Sequence, residues 1–439
     1  MQKRQEKKFS TAIWLPIVWY FIAASRTISR WFSTQSVGAE ELDSLSGNPL
    51  DRSFFAVLTI LGIIVLIKRG SYVTETLKNN KWIILLFIYM GISITWSEFG
   101  MVSLKRWIKT SGDLVMALII ITEIYPFAAI STVLKRVIFM QIPLSLFFIV
   151  FFPSLGTGSD YLGESMWIGI CTHKNELGEV TMISSFFLFG VVMNNWKKKV
   201  RPIYGMYLLL SLILLIGSKS TTSLFILIIG IVFYIAFNRK KVSLLKMKKI
   251  TGFLLLMIIG FVLIFPFRPE IFTQKMLGGI IGVSGKDTTL TGRTDLWYDM
   301  LKIASNNPIA GVGYGSFWIG STTDAIYHIW DTNTWRPQQG HNGYVDVYIE
   351  LGIIGVIILI GVIASAYKDI MNSLKYDFAH NVFRICLLMM IVIHNITESS
   401  YLRGGHNLWF IFVLAILAVP KRRMEANYVM LQQGVTKQL

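Results

Sequence analysis

Residues 341–366 read HNGYVDVYIELGIIGVIILIGVIASA. A polar pair, His341-Asn342, is followed by nine residues and then by Gly352-Ile-Ile-Gly355, which opens an apolar run. Runs of roughly 18 apolar residues are long enough to cross a bilayer core. Working outward from this stretch, similar runs lie at 11–29, 53–68, 81–97, 112–130, 136–153, 176–194, 203–217, 221–237, 250–267, 381–398 and 405–420. Lipid offers the backbone no hydrogen-bond partners, so such runs form helices. The expectation is an all-α polytopic membrane protein with about twelve transmembrane helices. Residues 1–439 form one membrane domain. Its long non-apolar insertion, 268–340, falls between segments nine and ten as a large periplasmic loop containing short helices.

Composition agrees. The chain of 439 residues is 53% hydrophobic and 15% charged, with a mean hydropathy of +0.56. The net charge of +17 suggests nucleic acid at first sight. The basic residues, however, alternate with the apolar segments in clusters at 3–8, 68–81, 135–136, 197–201, 239–249, 368–375 and 421–423. Counting the C-terminal tail, 26 of the 42 fall on one side, 15 on the other, and Arg384 inside a segment. That is the positive-inside pattern with an even number of crossings. It places both termini in the cytoplasm and the loop 268–340 outside, and it removes the case for nucleic acid. The opposite-side loop 31–52 carries Glu40, Glu41, Asp43 and Asp51. Segment 11–29 has the outline of a signal peptide, but the even crossing count requires that it stay. Cys171 and Cys386 provide neither a disulfide framework nor metal-ligand spacing.

The insertion holds the chemistry. Residues 293–305 are expected to form an amphipathic helix with Leu296, Met300, Leu301 and Ile303 near one face, ended by Asn306-Asn307-Pro308. Its aromatic residues, among them Trp297, Tyr314, Trp318, Trp330 and Trp335, suit sugar faces and the membrane interface equally. A lone histidine is usually a structural residue. His341 has Asn342 beside it, Asp346 a turn further on, and Arg293 in the same loop. A neutral imidazole there can take a proton from a sugar hydroxyl. Arg293 is either a solvated charge or a fork for phosphate oxygens. Gly352 and Gly355 read as close helix packing. Further polar candidates are Lys219 between two segments, Lys105, Arg106 and Lys109 after Trp96-Ser-Glu98, His173 and Asn175 at a segment start, and His394 with Glu398 one turn later. Ionisable groups in membrane segments are functional candidates. For Lys105 and Lys109, snorkelling to the interface has equal weight. The chain has no Walker A motif and no Asp-x-Asp pair, so neither a nucleotide nor a metal-dependent sugar-nucleotide site is expected.

Arg293-x-x-Leu296 followed by His341-Asn342-x9-Gly352-x-x-Gly355 resembles the O-antigen ligase and O-antigen polymerase family of bacterial envelopes. The order of long outward loop, arginine and boundary histidine agrees, and Trp31-Phe, Gly47-Asn-Pro-Leu-Asp-Arg52 and Trp96-Ser-Glu98 look like its exopolysaccharide-production branch. The resemblance implies an inner-membrane glycosyltransferase that moves a glycan from a polyprenyl (undecaprenyl) diphosphate carrier to an acceptor hydroxyl at the periplasmic face. It needs no cofactor, and single displacement would invert the anomeric centre. It implies His341 by the acceptor and Arg293 by the donor diphosphate, helped by Lys219 and Arg106. Family members often carry arginine where this chain has Lys219. The acceptor would be another repeat unit, lipid A core or a protein hydroxyl, with a chain-length regulator as a partner in the polymerase case. Polymerisation is favoured on the N-terminal likeness. The rivals are a ligase, a lipid-linked glycan flippase or transporter, and a structural membrane protein. A transporter predicts paired repeats with broken helices, and no repeat is visible.

Overall fold

A computed structural model describes residues 9–32, 47–159, 163, 165–194, 201–238, 243–264, 288–319, 324–332 and 337–425. Parts of the insertion (265–287, 320–323 and 333–336, with Gly278-Gly279 and Trp335), the acidic positions 40, 41 and 43, and the basic cluster 3–8 lie outside the described residues.

Among the described residues the regular structure is helical, apart from one small hairpin. The helices are α1 (Trp14–Ala23), α2 (Ile28–Phe32), α3 (Pro49–Lys68), α4 (Gly70–Asn79), α5 (Lys81–Ser93), α6 (Gly100–Ile121), α7 (Pro126–Phe151), α8 (Pro153–Gly156), α9 (Lys174–Asn194), α10 (Arg201–Gly217), α11 (Thr221–Asn238), α12 (Leu244–Ile264), α13 (Thr288–Ala304), α14 (Asp324–Thr332), α15 (Gly343–Ser373), α16 (Phe378–His394) and α17 (Asn407–Ile416). Strands β1 (Thr157–Ser159) and β2 (Ser165–Trp167) pair antiparallel. Among the described residues, six helices are long and apolar enough to cross a membrane: α3, α7, α9, α11, α12 and α15. The remaining apolar runs fall on α6 and on shorter helices of 10–17 residues.

Two sequence boundaries are corrected. The runs 112–130 and 136–153 do not meet at Lys135-Arg136. Helix α6 ends at Ile121, a turn covers 122–125, and α7 runs unbroken from Pro126. The turn is held by Glu123, which accepts from the Ser10 backbone N–H at 3.2 Å, from its hydroxyl and from Arg69. Apolar residues on both sides of that turn hid it. The loop helix begins at Thr288 rather than Arg293, with Leu296, Trp297, Met300 and Leu301 buried.

Helix α17 is the hub. All ten of its residues are buried. At 1.5 Å per residue it spans about 15 Å, half a bilayer core, so its end must be satisfied inside the protein. Arg384 does this, donating from Nε (3.2 Å) and Nη2 (3.0 Å) to Ala415 O and from Nη2 to Leu417 O (3.0 Å). Asn80 exchanges two bonds with Ala418. Helix α1 is part of the same core: Trp19 donates to Asp113 at 2.6 Å and Tyr20 to Asn407 at 2.9 Å.

The helix ends sort into two sets. Ser10, Arg69, Glu123 and Arg423 meet at one end, so both ends of the described chain lie there. The 26–32 segment, the β-hairpin, the insertion and the 395–406 connection meet at the other.

The insertion is keyed into helix α15 at Gly352. This residue has φ +63°, ψ −167°, inside an otherwise helical stretch. The break frees backbone groups that Pro308–Gly313 satisfies. Ile353 N donates to Pro308 O (2.9 Å), Val312 N to Ile349 O (3.0 Å) and Gly313 N to Glu350 O (2.9 Å). Gly352 therefore serves a backbone break that receives the loop, not the helix–helix packing expected of it. Irregular backbone at this depth is tolerated because it is buried in protein.

Candidate functional site

Asn342 caps helix α15. Its backbone is extended (φ −157°), and its Oδ1 accepts from Tyr344 N (3.1 Å) and Val345 N (3.3 Å). One residue earlier, His341 is in the left-handed region at φ +46°. A non-glycine residue rarely adopts that conformation without support. The support is visible. Gly340 N donates to Asp346 (3.1 Å), and Trp297 Nε1 donates to Gly340 O (2.6 Å).

The imidazole meets Glu398, with Nδ1 2.9 Å from Oε2. Glu398 stands four residues past the end of α16, in the connection to α17. Its other oxygen accepts from Arg293 Nη2 (3.2 Å) and Asn175 Nδ2 (3.3 Å). Arg293 Nη1 donates to Thr397 O (2.6 Å). One carboxylate thus gathers the loop helix α13, the start of α15, the start of α9 and the α16–α17 connection. Burial alone would raise the Glu398 carboxyl. The hydrogen bond from His341 and the nearby charges of Arg293 and His341 outweigh it and bring the pKa down to about 2. An ionised carboxylate beside Nδ1 favours the tautomer that carries its proton on that nitrogen.

A cavity of about 1060 Å³ lies against this cluster. His173 and Gln339 line it, and Gln339 Nε2 is 3.5 Å from His341 Nδ1. His341, Arg293 and Glu398 sit just behind that wall. Burial lowers the His173 imidazole pKa, with Lys174 adding to it. Its Nδ1 accepts from Asn175 N at 3.3 Å.

The other sequence candidates scatter. Arg106 lines the cavity, and its guanidinium holds the insertion through Gly315 O (2.7 Å) and Trp318 O (3.3 Å). Lys105 is on the same helix but not in the lining. Lys219, at φ +52°, is exposed in the α10–α11 turn, also away from the lining. His394 is buried and faces Glu179 (Nε2 to Oε1 3.9 Å) rather than the cavity. The sequence reading missed Arg26, Arg403 and Gln339 in the wall. Arg403 follows an apolar segment and precedes Gly404-Gly405, a boundary signal like that of His341. Arg26 and Gln339 carry no signal that spacing reveals.

Fold and cluster define a multi-pass membrane protein with a histidine–carboxylate–arginine group beside a large polar cavity at one end of its helices. Residues 206–360 match the O-antigen ligase family model, and the chain is similar over most of its length to an exopolysaccharide production protein. It is 26% identical over 361 residues to the exopolysaccharide production protein ExoQ of Rhizobium meliloti (strain 1021), covering 79% of each chain. It is 22% identical over 245 residues to a putative polysaccharide ligase of Rickettsia felis, covering 54% of this chain and 56% of that one. A putative polysaccharide ligase of Rickettsia conorii matches with the same identity and coverage. The family match contains Lys219, Arg293 and His341. Asn175 and Glu398, which touch the same cluster, lie outside it.

Proposed function

We propose that the chain is a glycosyltransferase of the bacterial inner membrane that moves a glycan from a polyprenyl diphosphate to an acceptor hydroxyl at the outer face. The observation that carries this is the Glu398–His341 pair beside a cavity large enough for sugar rings. The acceptor O–H gives its proton to His341 Nε2, and its oxygen forms a bond to C1. The C1–O bond to phosphate breaks, and the diphosphate leaves with the electron pair. Because the leaving group is already activated, the protein mainly holds negative charge and orients the attack. Arg293 is joined to His341 through Glu398, and it shares its fork between Thr397, Glu398 and the donor. Lys219 is outside the cavity wall and contributes least to this reading. Displacement in one step inverts C1 and uses no metal. The test is release of polyprenyl diphosphate by purified protein, with acceptor, in EDTA. Strict dependence on an added divalent ion, or no release at all, sinks the proposal.

The first form of this reading is polymerisation of exopolysaccharide repeat units, with a chain-length regulator as partner; the likeness to an exopolysaccharide production protein supports the exopolysaccharide part of it. The two Rickettsia relatives favour ligation to another acceptor, such as lipid A core or a protein. Product length separates the two: a ladder of repeats marks a polymerase, a single transfer a ligase.

Arg293→Lys should lose about tenfold or more in turnover. A point charge cannot reach Thr397 O and Glu398 together, and hydrogen bonds to charged groups are worth about 1.5–3 kcal/mol. Wild-type turnover in Arg293→Lys would reduce the residue to a surface cation.

Orientation is tested separately. In a cysteine-free background, a cysteine at exposed Ser305, on the insertion, should react with an impermeant thiol reagent in outer-membrane-permeabilised cells. One at exposed Ser243, in the basic loop at the other end, should react only after the inner membrane is broken. Reversed labelling removes the outer-face donor from reach and the proposal with it.

A further inference from the structure

The cavity lining has five Lys and Arg side chains (Arg26, Arg30, Arg106, Lys109, Arg403) against two acids, Asp346 and Glu350. The insertion as a whole is balanced, so this excess is local to the cavity. Much of it is held without carboxylates. Arg26 donates to the carbonyls of Cys171 (3.3 Å), Gly169 (3.1 Å) and Leu155, and Arg106 to those of Gly315 and Trp318. Carbonyl dipoles fix a guanidinium in place but leave its charge.

Lys109 stands apart. It lines the cavity, lies over the Phe55 ring at 4.7 Å, and makes no hydrogen bond among the described residues. The nearby acids are committed elsewhere. Asp113 accepts from Trp19 Nε1 (2.6 Å) and Gly405 N (2.9 Å), and Asp51 from the Ser29 backbone N–H (2.8 Å) and hydroxyl (2.5 Å). The Phe55 ring and the charges of Asp113 and Asp51 stabilise the ammonium, but its hydrogen-bond donors remain open to an anionic group in the cavity. Arg106 is one helical turn before it, and Gly405, whose Cβ position lies 2.7 Å from Lys109 Cε, keeps the approach open.

The shape argues for which anion. At about 1060 Å³ the cavity is at the upper end of ordinary ligand pockets, about 300–1,000 Å³. Trp31, Trp318 and Trp330 are among the lining residues, so aromatic surface is available beside the basic groups. The basic groups come from the segment after α1, from α6 and from the α16–α17 connection. Arg403 is near enough to Arg106 and Lys109 for their charges to repel, so an anion among them would relieve that repulsion.

We propose that the cavity binds an acidic glycan and that Lys109, with Arg106 beside it, receives a sugar carboxylate. This deepens the glycan-transfer reading and rests on it for the identity of the cavity. A protein that transfers glycan would then discriminate between uronate-bearing and neutral chains.

The test is binding, which does not need turnover. Purified protein in nanodiscs is titrated with oligogalacturonate and with neutral galacto-oligosaccharide of the same length, followed by tryptophan fluorescence. The uronate should bind about tenfold or more tightly, as expected for charge-assisted hydrogen bonds. Lys109→Gln should remove that preference, Lys109→Arg should retain most of it, and Lys246→Gln at the opposite end should leave it intact. Equal binding of both sugars, binding of neither, or a preference that survives Lys109→Gln overturns the proposal. So does a Lys109→Gln variant that loses affinity for inorganic pyrophosphate but not for uronate, since Lys109 would then be a donor diphosphate ligand. Polyprenyl diphosphate release measured on the same preparation keeps the two questions apart. Release without sugar discrimination removes only this inference.

Discussion

His341→Ala should lower glycan transfer by about 10²–10⁴, the usual cost of losing a positioned general base, while the protein still inserts and folds. The geometry supports both halves. The imidazole's carboxylate partner is Glu398, 2.9 Å away. Removing it leaves Glu398 with Arg293 at 3.2 Å and Asn175 at 3.3 Å, so no buried charge is abandoned. Helix α15 keeps its start because Asn342, not His341, is the cap. Alanine at φ +46° adds little strain beyond what histidine already bears there. The measurement is the single-turnover rate beside the melting temperature. Near-normal transfer in a well-folded His341→Ala protein would dismiss the histidine from the chemistry. Glu398→Gln should also slow transfer, through loss of the charge that fixes the imidazole tautomer. The carboxyl pKa is about 2, depressed from the ordinary carboxylate range. Its favourable contribution to the fold is therefore fully present above that range and is lost as pH falls toward about 2. An acid limb of activity near neutral pH does not come from Glu398.

The membrane helices were legible because hydropathy reports them directly. Each apolar run contains a helix among the described residues, six of them long enough to cross a membrane, and the errors are at boundaries: the turn 122–125 and the runs that extend past Ala23, His394 and Ile416. The pairing of His341 with Arg293 was legible only as two residues in one loop. What joins them is Glu398, 57 residues after His341, and spacing carries no trace of that contact. The sequence associated Glu398 with His394 because they are one helical turn apart. In the fold α16 ends between them, so Glu398 turns toward the cluster and His394 into the core. Asn342 looked like a second functional polar group. Its Oδ1 is instead consumed by two backbone N–H groups, a local event that the position before an apolar run signals. Lys219 has a place in a short turn that matches the family's order, and, like Arg293 and His341, it is not part of the cavity lining. The cationic wall is the least legible feature, since its residues are contributed by segments far apart in sequence.

Gly352→Val should cost more than any single change at the cluster, and it should act on the fold rather than on the rate. The residue's φ of +63° with ψ −167° belongs to a region open essentially to glycine alone. A Cβ there would stand 2.1 Å from Ile309 O and 2.6 Å from Ala310 N. Neither is a flexible side-chain end that can swing aside; both are backbone atoms of the segment docked at the break. Relief requires Pro308–Gly313 to move away, which opens the bonds from Ile353 N, Val312 N and Gly313 N. Backbone strain of this kind is worth about 1–3 kcal/mol, and each buried group left unpaired costs about 1–3 kcal/mol more. The sum is on the order of 4 kcal/mol or above, a large share of the 5–15 kcal/mol that typically separates folded from unfolded protein. The same movement draws Tyr314, Trp318 and the cavity wall out of place, because they follow Gly313 directly. Gly260→Val is the matched control, in helix α12 where a Cβ meets nothing within 4 Å. The expected result is loss of the monodisperse peak and a sharply lower melting temperature for Gly352→Val, with Gly260→Val near wild type. Equal recovery and melting of the two variants would show that α15 can close over the break, and that the insertion is not anchored there.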